Sequence, residues 1–210
     1  MSLIKIAVLV SGGGTNLQTI IDEIETGNIP GRIDGVVSSK EDAFALERAK
    51  KHGIEGIYIG NKNFPDSIER NNRLLELLLE KGIDLVILAG YMSILDKGLI
   101  QAFHNRIINV HPSLIPSFCG KGFYGEKVHR AVLDYGAKVS GATVHFVDEG
   151  TDTGPIILQE TVPVLEGDTA ETLGKRVLAV EHKLLPQAVK LFSEGRLKVE
   201  GRRVVIKTVE

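Results

Sequence analysis

Asn109 and His111 stand two residues apart in the apolar run Ile107-Ile108-Asn109-Val110-His111, which breaks at Pro112. At that spacing in an extended segment both side chains leave the same face. Pro112 biases His111 itself toward extended backbone. An amide donor beside an imidazole is suited to holding a developing oxyanion while a proton moves. An isolated Asn-x-His is more often an incidental feature of a strand end. What raises its weight is Asp148-Glu149-Gly150-Thr151-Asp152-Thr153-Gly154-Pro155, which joins two apolar segments. That cluster offers three carboxylates that could orient or charge His111. Spacing does not choose among them.

A second kind of chemistry is signalled by Ser11-Gly12-Gly13-Gly14-Thr15-Asn16. Glycines let backbone N–H groups approach a ligand, and a following helix N-terminus favours an anion. A phosphate is the natural guest, with Thr15 and Asn16 as further donors. A dinucleotide fingerprint starting at Gly12 would place Leu17 where a glycine or alanine belongs. The second apolar segment ends in Ser38-Ser39-Lys40, without an acid for an adenosine ribose. No Gly-Lys-Ser/Thr ending is present, so the phosphate loop of NTPases is absent. Glu181 has Val177, Leu178, Leu184 and Leu185 as its helical neighbours. A carboxylate on such a stripe needs a partner or a cavity. No His, Cys, Asp or Glu grouping has metal-ligand spacing, so no catalytic metal is expected.

The elements that must position these groups alternate. The short apolar runs 4–10, 33–38, 56–59, 83–89 and 107–111 read as buried strands. Amphipathic segments 15–26, 41–52 and 67–81 read as helices, the first with capping-box spacing between Thr15 and Gln18. This alternation predicts an α/β fold, an open and mostly parallel twisted sheet with helices on both faces. After an irregular stretch at 112–125, residues 126–135 read as a helix. Residues 139–147 and 155–164 read as an antiparallel strand pair in the C-terminal half. A long helix is expected over 168–193, opened by Asp168 and Glu171 and with a kink at Pro186. His129 is expected on the exposed face of the 126–135 helix. Residues 196–209 could form a small hairpin about Gly201.

The 210 residues carry a net charge of −2, which gives no electrostatic reason to expect nucleic acid or an anionic membrane as partner. One cysteine, Cys119, cannot form an internal disulfide. With no secretory leader or membrane-length apolar run, a cytoplasmic location is the expectation.

Asn109-Val110-His111-Pro112-Ser113-Leu114-Ile115-Pro116, the 11–16 loop, and His145-Phe146-Val147 followed by Asp152-Thr153-Gly154-Pro155 together resemble the phosphoribosylglycinamide formyltransferases, folate-dependent transformylases of purine biosynthesis. The resemblance runs from about residue 4 to residue 195. It implies a Rossmann-like formyltransferase domain over 1–195 and a tail over 196–210. It also implies that Asn109, His111 and Asp152 form the catalytic trio, with His145 in support. The co-substrate would be 10-formyltetrahydrofolate, its pterin lying near Tyr91, Met92, Ser93, Ile94 and Leu95. Many members carry arginine where this chain has Ser93, which leaves recognition there to the backbone of residues 93 and 95. Gly13, Gly14, Thr15 and Asn16 would hold the phosphate of glycinamide ribonucleotide, and Glu181 its ribose hydroxyls. Monomers and homodimers both occur in the family. Related formyltransferases that act on methionyl-tRNA normally carry an extra C-terminal domain, and formyltetrahydrofolate hydrolases an N-terminal one, so neither activity is the expectation here.

Overall fold

The computed structural model describes residues 3–208. The chain divides into two compact units, Met1–Ile108 and Asn109–Glu210.

The first unit contains β1 (Ile4–Val10), α1 (Thr15–Glu25), β2 (Gly31–Ser38), α2 (Phe44–Lys51), β3 (Gly56–Tyr58), α3 (Ser67–Glu80), β4 (Leu85–Leu88) and α4 (Lys97–Ala102). Its strands lie in the order β3-β2-β1-β4, and β1 pairs in parallel with both β2 and β4. β1 is buried from Ile6 to Val10, which is why it reads as a continuous apolar run rather than an alternation. The chain steps outward from β1 to β3 and then returns to β4 on the other side. The loops after β1 and β4 therefore diverge from neighbouring carboxyl ends, the place where open α/β sheets bind ligands.

One helix cap and one helix start depart from expectation. Thr15 is already the first helical residue of α1, and Gly14, left-handed at φ 72°, is its cap without any side-chain bond. The expected Thr15–Gln18 box therefore does not form; the Gln18 amide donates to Asp22 at 2.8 Å instead. α2 begins at Phe44, after an extended Ala43, rather than at residue 41. α4, six residues capped by Asp96, was not expected at all.

The second unit follows β5 (Ile107–His111), which crosses the boundary. It contains α5 (Glu126–Tyr135), β6 (Val139–Phe146), β7 (Ile156–Pro163), α6 (Ala170–Ser193), β8 (Leu197–Glu200) and β9 (Arg203–Ile206). β6 and β7 pair antiparallel from Val139↔Pro163 onward. β8 and β9 form the antiparallel tail hairpin, turning at Gly201 with φ 60°. Val209 lies outside the described residues. β9 also pairs with β7 at Ile156↔Arg203, so the tail extends this unit's strand order β5-β6-β7-β9-β8.

α6 buries Leu173, Val177, Leu184, Leu185, Ala188 and Val189, the apolar stripe its spacing predicts, and continues through Pro186. Its cap differs from expectation. Thr169 and Thr172 make the reciprocal box, while Asp168 receives two bonds from Arg176 at 2.8 and 3.0 Å. No described helix is long and apolar enough to cross a membrane.

Candidate active site

β5 delivers Asn109 and His111 from the second unit's first strand, half-buried and buried respectively. β6 delivers His145, 2 % exposed. The loop after β6 returns Asp152, whose Oδ2 lies 3.5 Å from His111 Nδ1 and whose Oδ1 lies 3.7 Å from His145 Nε2. Asn109 Nδ2–H donates to His145 Nε2 at 3.1 Å. Four side chains from three segments thus share one polar nucleus.

The tautomers follow from the backbone carbonyls. His145 Nδ1–H donates to Phe146 O at 2.8 Å, which leaves Nε2 of the neutral ring as the acceptor for Asn109. His111 Nε2–H donates to Phe118 O at 3.0 Å, so the Nδ1 of neutral His111 faces Asp152. Burial pushes His111 below its ordinary value, and the Phe118 carbonyl and the Asp152 charge work against that. Burial also disfavours the Asp152 carboxylate. His145, His111 and the Gly120 N–H, at 2.9 Å, together outweigh burial and hold its carboxyl below the usual range.

Of the three loop acids, Asp152 is the one placed against His111. Asp148 is engaged within its own turn, accepting from Gly150 N–H at 3.1 Å and Thr153 Oγ–H at 2.5 Å. Asp152 itself is left-handed at φ 58°, a conformation that aspartate tolerates better than bulkier residues. Any side chain at Gly154 would drive its Cβ into the Phe146 carbonyl. That glycine lets the loop fold back close enough for Asp152 to meet both imidazoles.

In the first unit the switch-point loops are tied together. Met92 N–H donates to Ser11 Oγ at 2.8 Å, and Ser11 Oγ sits 2.6 Å from Ser39 Oγ. Gly12, Gly13 and Thr15 are exposed while Asn16 is buried at the start of α1. Tyr91 is raised by burial, against a hydrogen bond with Ser93. Met92 and Ile94 are exposed, Ile94 to 87 %, and Leu95 is buried. Asn71 anchors this segment: its amide donates to Ile94 O at 3.3 Å and its oxygen accepts Asp96 N–H at 3.0 Å.

The sequence profile of the formyl transferases matches residues 4–189. The chain belongs to the formyl transferase family. It is 44% identical over 195 residues to the chloroplastic phosphoribosylglycinamide formyltransferase of Arabidopsis thaliana, covering 92% of this chain and 67% of that protein. It is 41% identical to the phosphoribosylglycinamide formyltransferase of Haemophilus influenzae, covering 93% and 90%. Among solved structures, glycinamide ribonucleotide transformylase 1 of Symbiobacterium toebii superposes with a TM-score of 0.92 at 50% identity, covering 97% and 94%. Membership implies a folate-type formyl donor and small-molecule substrates.

Within this formyl transferase, Glu181 is 8 % exposed on α6, as its apolar neighbours foretell. His129 corrects expectation. It is buried, not on the exposed face of α5, and packs so closely on α6 that a Cβ on Gly174 would lie 3.0 Å from its ring. Period alone could not show that α6 covers that face. Burial and the Asp152 charge push the Cys119 thiol up, which disfavours the thiolate a nucleophile needs. Sequence reasoning missed Asn71, the tie of Ser11 to Met92, and the backbone of Phe118 and Gly120. Asn71 left one legible trace, an amide among the buried positions of an otherwise amphipathic α3.

Proposed function

We propose that this formyl transferase moves the formyl group of 10-formyltetrahydrofolate to the primary amine of glycinamide ribonucleotide. The amine nitrogen attacks the formyl carbon, and the carbonyl electron pair moves onto oxygen. Asn109 N–H and protonated His111 stabilise that oxyanion. When the carbonyl re-forms, the carbon–N10 bond breaks. The proton lost by the amine reaches N10 through a water held by Asp152, leaving formylated product and tetrahydrofolate. Gly13, Gly14, Thr15 and Asn16 hold the phosphate and Glu181 the ribose hydroxyls. Tyr91, Met92, Ser93, Ile94 and Leu95 receive the pterin, through apolar contact and the backbone of 93 and 95.

The observation that carries the reading is the convergence of Asn109, His111, His145 and Asp152 in one buried polar nucleus. Burial disfavours the His111 cation even with the Asp152 charge beside it, and a developing oxyanion adds the further negative charge that reverses that preference where the reaction needs it. The reading extends to a cytoplasmic enzyme, monomer or homodimer, whose formyltransferase domain spans 1–195 and which uses no metal, nucleic acid or membrane. The family match to residues 4–189 supports that extent.

The test is folate absorbance on mixing enzyme with 10-formyltetrahydrofolate, with and without glycinamide ribonucleotide. Deformylation that depends on the ribonucleotide is expected. Deformylation at the same rate without it would assign a hydrolase. No change in either mixture, with folded protein, would overturn the proposal.

A further inference from the structure

Arg48, on α2, reaches back to the glycine loop of its own unit. Its Nε–H donates to Gly13 O at 2.8 Å and its Nη1–H donates to Gln18 Oε1 at 3.1 Å. The Phe44 ring lies 5.1 Å beneath the guanidinium and limits its swing. The same helix start meets the loop twice more. Ala45 N–H donates to Gly12 O at 3.1 Å, and a Cβ on Gly14 would lie 2.7 Å from Ala45 Cβ. α2 therefore sets the backbone of residues 12–14, and Arg48 contributes a charge at its centre. Gly13 and Gln18 are neutral acceptors, so neither contact neutralises that charge.

We propose that Arg48 is a positioning residue for the substrate phosphate, acting through the Gly13–Gly14 peptide. The carbonyl and N–H of a trans peptide point in opposite directions. Pinning Gly13 O toward α2 therefore aims Gly14 N–H away from α2. A charge-assisted bond to the carbonyl also polarises the peptide and makes that N–H a stronger donor. The guanidinium adds a long-range attraction for an anion on the loop. The left-handed backbone of Gly14 and its contact with Ala45 exclude a side chain there, so this stretch is positioned through its backbone. The inference rests on the proposed binding of phosphate by this loop.

The test compares glycinamide ribonucleotide with its dephosphorylated riboside, for the wild type, Arg48→Met and Arg48→Lys. Arg48→Met should lower kcat/KM for the ribonucleotide by about 10-fold, chiefly through KM, the scale of one charge-assisted bond. Its KM for the formyl donor and its kcat/KM for the riboside should stay within about 2-fold of the wild type. Arg48→Lys, which keeps the charge and one donor, should fall between. Equal losses with both substrates would make Arg48 a merely structural tie, and no loss with the ribonucleotide would overturn the inference outright. Inorganic phosphate separates this from the reading beneath it. If wild-type enzyme neither prefers the ribonucleotide nor is inhibited by phosphate competitively with it, phosphate binding by the loop fails. If wild type shows both and Arg48→Met is inhibited equally well, only the role of Arg48 fails.

Discussion

Burial and charge pull on His111 in opposite directions, and its use depends on that balance. At 4 % exposure the cation loses hydration, yet Asp152 and the Phe118 carbonyl are placed to receive both of its N–H groups once it is protonated. The ring is held ready for a charge it does not carry at rest. Asn109 is oriented by His145, whose own tautomer is set by Phe146 O. Removing either of the two proposed oxyanion partners should cost transition-state stabilisation rather than binding. Asn109→Ala and His111→Ala are each expected to lower kcat by about two orders of magnitude or more, with modest change in KM. Steady-state kinetics decide this, and near-normal kcat in either variant would remove that residue from the mechanism.

At the scale of elements, β5 and α5 have the bounds that their patterns predict, because short apolar runs and a long amphipathic period are locally determined. The helix starts were less legible. Ala45 N–H donates to Gly12 O, so a distant loop satisfies one N–H of the first turn of α2, and no side-chain cap forms. α6 is the opposite case, a local cap chosen from several candidates. Asp168 and Glu171 had the right types and spacing, but Arg176 and Lys175 engage them. Thr169→Ala should therefore destabilise the protein by about 1 kcal/mol, the ordinary value of a threonine cap. Glu171→Ala, which leaves the Thr169–Thr172 box intact, should cost less. Urea denaturation of both variants provides the comparison, and a larger loss for Glu171→Ala would assign the cap wrongly.

For the whole molecule, three imidazoles, two buried and one half-buried, set the response to acid. His111, His129 and His182 all lie below the ordinary 6.5, each chiefly because burial disfavours the cation. The unfolded chain takes up protons near 6.5 while the folded chain resists them, so acid draws the equilibrium toward unfolding. The stability these groups contribute is complete above about 6.5 and declines as pH falls through and below it. Asp152, held below its ordinary 3.8, adds a further loss only below that value. The melting temperature should fall between pH 7.5 and 5.5, and fall less steeply in His129→Gln. A Tm that holds steady or rises on acidification would contradict the burial of these rings.

What the sequence by itself determined were the local and periodic things. It showed the alternation of strands and helices, the shared face of Asn109 and His111, the glycine loop and the acid on the apolar stripe of α6. Each depends on neighbours within a few residues, so pattern suffices. Spacing left three acids open and the family resemblance pointed to Asp152; the tertiary structure supplies the physical reason that Asp152 faces His111, which turns on how the 148–155 loop closes at Gly154 and leaves Asp152 left-handed. Only tertiary structure decided the burial of His129 against Gly174, the Ser11–Met92 tie and the reach of Arg48 to Gly13. Each joins residues dozens of positions apart, and nothing in the local chain carries the distance between them.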